Sequence, residues 1–166
     1  MGWGRIDAYT NTLGRNDIVT ARIARSDGNL YFLAETREPI TSSSDKNWML
    51  LFIDADRNPA TGWEGFDYVV NLDVPAAGKT TVKKAVLGED GETSWQTVAE
   101  VPFAVQGRFL EIAIPYGVLG WTGETDGGFD FKWVDNPEHL QDITGFFQAG
   151  DAAPSRRFKY RYAIKP

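Results

Sequence analysis

Apolar and polar residues alternate with a period of two along most of this chain, which predicts β-strands joined by short turns. The run IVTARIAR, Ile18 to Arg25, is β-branched and ends at SDGN, a strong hairpin signal. Its partner is LYFLAETRE, residues 30 to 38, closed by Pro39, which has no N–H for a ladder. WMLLFID, residues 48 to 54, is apolar on both parities, as expected of a mid-sheet strand covered on both faces. In the strand that follows, Phe66, Tyr68, Val70 and Leu72 are expected on one face and Asp67, Val69 and Asn71 on the other. TTVKKAVL, TSWQTVAEV and FAVQGRFLEIAIP continue a meander, with a turn at Gln106 and Gly107 and an inward face of Leu110, Ile112 and Ile114. FDFKWVDN sets Phe129, Phe131 and Trp133 against Asp130 and Lys132, and RFKYRYAI sets Phe158, Tyr160 and Tyr162 against Lys159 and Arg161. An opening alternation at Trp3, Ile6, Ala8 and Tyr9 suits one more strand. Only Pro115 to Leu119 suggests a helical turn, and PEHLQDITGFFQAGDAAPSRR is a long irregular connection. About ten or eleven short strands predict a single-domain antiparallel β-sandwich of jelly-roll type.

Composition narrows the function. A chain of 166 residues with 42% hydrophobic content closes one sizeable core. It has no cysteine, so no disulfide supports it, and a metal loop is one alternative staple. A net charge of −6 argues against nucleic acid as the partner and, less firmly, against acidic polysaccharides. The basic residues Arg156, Arg157, Lys159 and Arg161 still gather in one run, which reads as the solvated side of a strand or a local cationic patch. No apolar run approaches the length of a membrane span and no signal-peptide pattern is seen. The expectation is a monomeric module of a longer, secreted or cell-surface protein. Aromatic residues make up 13% of the chain, and Trp and Tyr offer the flat apolar faces on which a sugar ring can stack.

The stretch IDADRNPATGWEGFDYVVN, residues 53 to 71, carries the most pointed chemistry. Asp54, Asp56 and Asn58 stand at alternate positions, followed by Thr61, by Gly62, which tolerates positive φ, and by Asp67. A hard cation such as calcium takes roughly six to eight oxygen ligands, and such a loop can supply many of them. The opening DxDxN resembles an EF-hand loop, but Gly65 stands where the closing glutamate would fall and no flanking helices are evident, so a cation here would be held between strands. The alternative is an Asx-rich turn bonding its own backbone.

Catalysis finds less support. Glycoside hydrolysis needs two carboxylates facing each other across a cleft, and the acids with neighbours, Asp54, Asp56 and Asp67, are better explained by a cation. His139 is the only histidine and there is no cysteine, so nucleophilic triads and histidine-rich metal sites lack partners.

The segments NWMLLFIDADRNPATGWEGFDYVVN, FLEIAIP, FKWVDN and GDAAPSRRFKYRY together resemble the family 9 carbohydrate-binding modules and the wider family-9-like (DOMON-like) sandwich domains. The likeness runs from about Asp17 to the end, and one departure is Leu50, where the family pattern carries a glutamate. The resemblance implies a non-catalytic sandwich with bound calcium that holds a polysaccharide or oligosaccharide beside the catalytic domain of a parent enzyme. Calcium is expected on Asp54, Asp56, Asn58, Thr61 and Asp67, with Trp63 as a plug beside it. A neutral or weakly charged glycan is expected to stack on Trp48, Trp95 or Trp121, which adjoin turns, with polar contacts from Asp135, Asn136, Asp151 or Arg157. An ion pair between Arg157 and Asp151 is an equal expectation for those two. The alternatives are a calcium-stabilised structural or docking domain without a ligand of its own and, more distantly, a glycoside hydrolase or polysaccharide lyase.

Overall fold

The computed structural model describes residues 15–26, 28–122 and 127–163, so the opening alternation at Trp3 to Tyr9 lies outside the described residues. Ten strands lie among the described residues: β1 (Ile18–Ser26), β2 (Asn29–Thr36), β3 (Leu50–Asp54), β4 (Tyr68–Val70), β5 (Lys79–Leu87), β6 (Thr93–Gln106), β7 (Phe109–Pro115), β8 (Phe129–Asp135), β9 (Asp151–Ala153) and β10 (Tyr160–Tyr162). Two single 3₁₀ turns, Tyr116–Leu119 and Ile143–Phe146, are the only helical elements among the described residues. No helix among them is long and apolar enough to cross a membrane.

Every pairing is antiparallel, along the path β1-β2-β7-β6-β5-β4-β3-β8-β10, with β9 added to β8. The long β6 serves two layers, because Thr93 to Pro102 pair with β5 whereas Phe103 to Gln106 pair with β7. The change of partner falls at Pro102, which has no N–H for a ladder, and the next N–H, that of Phe103, reaches the Gly78 carbonyl at 3.1 Å. One layer is then β1, β2, β7 and the end of β6, and the other is the start of β6 with β5, β4, β3, β8, β10 and β9. The Ile18 N–H of β1 donates to the Asp151 carboxylate of β9 at 2.6 Å, so the sheet nearly closes on itself. The fold is the all-β antiparallel sandwich that the alternation predicts.

Between the layers lie Leu30, Phe32, Leu51, Ile53, Tyr68, Val70, Leu110, Ile112, Ile114, Phe129, Phe131 and Trp133, all buried. Each such side chain contributes about 1.5–3 kcal/mol by leaving water. A second cluster, Leu50, Phe52, Phe66, Val69, Val134 and Phe146, sits on the outer face of the β3 layer. This explains the doubled apolar parity of β3: Leu51 and Ile53 face the sandwich interior, while Leu50 and Phe52 face a cover of loops. The 136–150 connection is that cover. Asn136, at φ 50, turns the chain off β8 with its N–H on the Asn47 carbonyl at 2.9 Å, and Asp142 caps the second 3₁₀ turn through the Thr144 N–H at 2.8 Å. Gly150, at φ 74, brings the chain back so closely that a Cβ would lie 2.0 Å from the Asp135 carbonyl oxygen. Only glycine permits that return, and β9 can then pair with β8.

Two expectations of facing are corrected. Tyr68 and Val70 point inward as a period of two requires, but Phe66 and Leu72 pack on the outer cluster instead. The alternation fails at both ends of β4, because Trp63 and Phe66 exchange backbone hydrogen bonds at 2.8 Å in a turn and Asn71 takes a left-handed φ of 66. Lys132, expected on a polar face, is fully buried because the 154–158 segment lies over it.

Candidate functional site: an outer aromatic face beside a carboxylate cluster

The turn between β3 and β4 gathers Asp54, Asp56 and Asp67, with one carboxylate oxygen from each within 4.8 Å of the others. The cluster could hold a metal ion, and its oxygens are the hard donors that a divalent cation prefers. Strand pairing delivers Asp67, whose N–H donates to the Ile53 carbonyl at 2.8 Å, directly beside Asp54. Asp67 in turn accepts from the Ala55 N–H at 2.8 Å. Burial, then the charges of Asp56 and Asp54, push the Asp67 carboxyl above the usual carboxylate range, outweighing the backbone N–H groups that favour its charged form. Asn58 and Thr61 serve the turn itself. The Asn58 side chain accepts from the Ala60 N–H at 3.0 Å, and the Thr61 hydroxyl donates to Asp56 at 3.0 Å. Gly62 adopts the positive φ expected of it, 65, at a point where a Cβ would collide with the Phe66 carbonyl. From β10's approach, the Lys159 ammonium reaches Asp54 at 2.7 Å, bonds the Gly65 carbonyl at 2.9 Å and lies 4.3 Å from the centre of the Phe66 ring.

The expected sugar platforms are redistributed. Trp48 is 1% exposed, with its indole N–H on the Thr41 carbonyl at 3.0 Å, and Trp121 is 5% exposed and wedged edge-on against Tyr116, Phe129 and Tyr162. Trp48 is a core residue with no face to offer, whereas Trp121, also packed in the core, keeps an edge on a cavity lined with Asp56, Asp67 and Gly128. Trp95 is half-buried and belongs instead to a surface cluster with Trp63 and Phe52, at ring distances of 6.2 and 6.4 Å. Trp63, expected as a plug, is half-buried and stacked on Phe52 at 5.6 Å, which fastens the carboxylate turn to the outer apolar face.

The expected polar contacts divide in the same way. Asp135 is fully buried and accepts from Arg15 at 3.0 Å, from the Asn16 amide at 3.1 Å and from the Met49 N–H at 2.8 Å. It fastens the segment before β1 to β3 and β8, and does not line the cavity described below. Asn136 is the turning residue described above and also stands off the cavity wall. Asp151 and Arg157 do share one cavity, but Asp151 bonds the Ile18 N–H and makes no ion pair with Arg157 among the described residues.

That cavity has a volume of about 900 Å³ and opens on the outer face, walled by Phe146, Phe147, Gln148, Asp151, Arg157 and Phe158 among others. Phe146, itself buried, also lies 5.8 Å from Trp63, so the inner wall of the cavity packs against the Trp63 and Trp95 cluster. The Phe158 ring is 71% exposed on the wall. Beneath it, the buried Lys132 ammonium donates to the carbonyls of Pro154 and Phe158, at both ends of the wall segment. Sequence reasoning missed Phe146, Phe147 and Phe158 as site residues. The available signal was the FF pair in an otherwise polar connection, apolar side chains that no strand period explains.

Burial pushes Lys132 from 10.5 down to about 7, an effect that the Asp151 charge partly counters. The folded chain therefore binds fewer protons than the unfolded chain between these values, and this group's contribution to stability rises with pH through that window. Lys132→Met is expected to remove the slope, so that the melting-temperature difference between wild type and variant moves in favour of wild type as pH rises from 7 towards 10.5. Thermal melts in a buffer series check this, and a difference that stays flat rejects it.

No family model, curated protein or solved structure matches the chain. The likeness to family 9 modules therefore rests on the quoted residues alone.

Proposed function

We propose that this protein is a non-catalytic carbohydrate-binding module whose glycan lies on the outer aromatic face, with calcium bridging Asp54, Asp56 and Asp67 and holding the β3 to β4 turn. The observation that carries the reading is the cavity beside an exposed Phe158, backed by the buried Phe146, whose ring packs against the half-buried Trp63. Sugar sites combine flat apolar faces with a few directed polar groups, and Gln148, Ser155 and Arg157 supply the latter. The non-catalytic reading draws support from acids already engaged elsewhere: Asp54 with Lys159, Asp130 with Arg161 and Asp135 with Arg15.

Affinity electrophoresis against a panel of soluble polysaccharides tests the proposal. Phe158→Ala removes an exposed ring, so the fold should survive while retardation by the bound glycan falls about fivefold or more, an estimate resting on aromatic stacking energies. Trp48→Ala should instead destabilise the core. If Phe158→Ala binds as well as wild type, the surface assigned here is wrong. If no glycan retards wild type, the docking-domain reading replaces this one.

A further inference from the structure

We infer that the sugar held in this cavity is a carboxylated one, a uronate-bearing oligosaccharide, with Arg157 pairing the carboxylate. The inference rests on the glycan reading and departs from the neutral ligand that net charge suggests. Net charge is a sum over the whole molecule, whereas charges more than about 8–10 Å apart are largely screened at physiological salt. What a ligand meets is the local balance.

That balance follows from where the four residues of the basic run go. Lys159 neutralises Asp54 at 2.7 Å, and Arg161 grips Asp130 with paired hydrogen bonds of 2.8 and 2.9 Å. These two pairs also relieve a repulsion built into the sheet, since Asp54 and Asp130 stand directly opposite each other in the β3 to β8 register. The basic run is therefore not one solvated face. Its other half, Arg156 and Arg157, is exposed and lines the cavity.

Among the described residues the acid lining the cavity is Asp151, and it is poorly placed to cancel Arg157. It is 8% exposed, and its carboxylate already accepts the Ile18 N–H at 2.6 Å. Burial, with Asp17 and Asp135 adding to it against the Ile18 N–H, holds this carboxyl up at about 6. Asp142, which does not line the cavity, is engaged by the Thr144 N–H and hydroxyl. Behind the wall, the Lys132 ammonium adds further positive charge near neutral pH and below. An otherwise acidic protein thus presents a cationic pocket edged by Phe147 and Phe158.

A uronate ring matches both properties. Its C–H face stacks on an aromatic ring, and its carboxylate accepts two parallel N–H bonds from a guanidinium, geometry that an ammonium cannot reproduce. Thr144, Gln148 and Ser155 on the same wall offer hydrogen bonds to ring hydroxyls.

Isothermal titration with trigalacturonate and with cellotriose, in one buffer, tests the inference on wild type, Arg157→Ala, Arg157→Lys and Phe158→Ala. Trigalacturonate should bind wild type roughly tenfold or more tighter than cellotriose, as expected for a charge-assisted pair. Arg157→Ala should erase that preference without lowering the melting temperature, Arg157→Lys should restore only part of it, and Phe158→Ala should weaken binding of whatever sugar is held. If cellotriose binds as tightly as trigalacturonate or tighter, the acidic-sugar assignment is overturned while the glycan reading stands. If trigalacturonate keeps its full affinity in Arg157→Ala, the pairing residue is wrong. If neither sugar binds and the polysaccharide panel is also negative, the glycan reading itself fails, and this inference with it.

Discussion

Asp135→Ala is expected to lower the melting temperature by roughly 6 to 12 °C and to leave the affinity of the folded protein for the proposed glycan unchanged. The carboxylate is fully buried and takes three donors at once, the Arg15 guanidinium, the Asn16 amide and the Met49 N–H. Removing one partner of a buried ion pair costs about 3–5 kcal/mol, because the groups left behind lose their counterpart. The lower end applies here, since Arg15 keeps 24% of its side chain in solvent. About 3 kcal/mol moves the midpoint of a domain of this size by roughly 2–4 °C per kcal/mol. Thermal melts and a binding titration on the same preparation separate the two roles. A stable variant with lost affinity would return Asp135 to the ligand site and reject its part as a fastener.

Withdrawing calcium should have the second large effect. If calcium bridges Asp54, Asp56 and Asp67 as proposed, an ion present at about a hundred times its dissociation constant stabilises the fold by about 2.7 kcal/mol, which corresponds to roughly 5–11 °C between calcium and EDTA. The cation would act where Asp67 is strained most, against burial and two neighbouring charges. Asp67→Asn should abolish the difference between the two buffers, and the calcium effect should shrink as acid protonates the cluster. Lys159 already neutralises part of Asp54, so the fold is expected to survive removal of the ion at a lower melting temperature. Superimposed melting curves in EDTA and millimolar calcium would falsify the calcium assignment.

Strands proved legible wherever one residue type dictates one outcome. The double apolar parity of residues 48 to 54 foretells a central strand, and β3 is buried on both faces. The inward row Leu110, Ile112 and Ile114 and the left-handed Gly62 follow from period and glycine chemistry in the same direct way. Asp54, Asp56 and Asp67 converge because the parity of two adjacent strands places them at one end of one turn.

Exposure was not legible. Trp48, Trp95 and Trp121 all adjoin turns, yet Trp48 and Trp121 are packed in the core and Trp95 is half-buried on the outer face, because burial depends on contacts distant in sequence. Lys132 reads as a solvent-facing strand residue until a segment more than twenty positions later is laid over it. The basic run reads as one patch until the strand register assigns half of it to Asp54 and Asp130.

The partner exchange of β6 at Pro102 sets how this sandwich comes apart. Where two layers meet only through side chains, one can in principle loosen while the other persists, and local openings then span a wide range of free energies. Here a single continuous backbone is hydrogen-bonded into both layers, so peeling either one away pulls on the strand that edges the other. The outer aromatic face and the carboxylate turn both ride on the β3 layer, and they inherit that cooperativity: both should persist until the fold itself is lost.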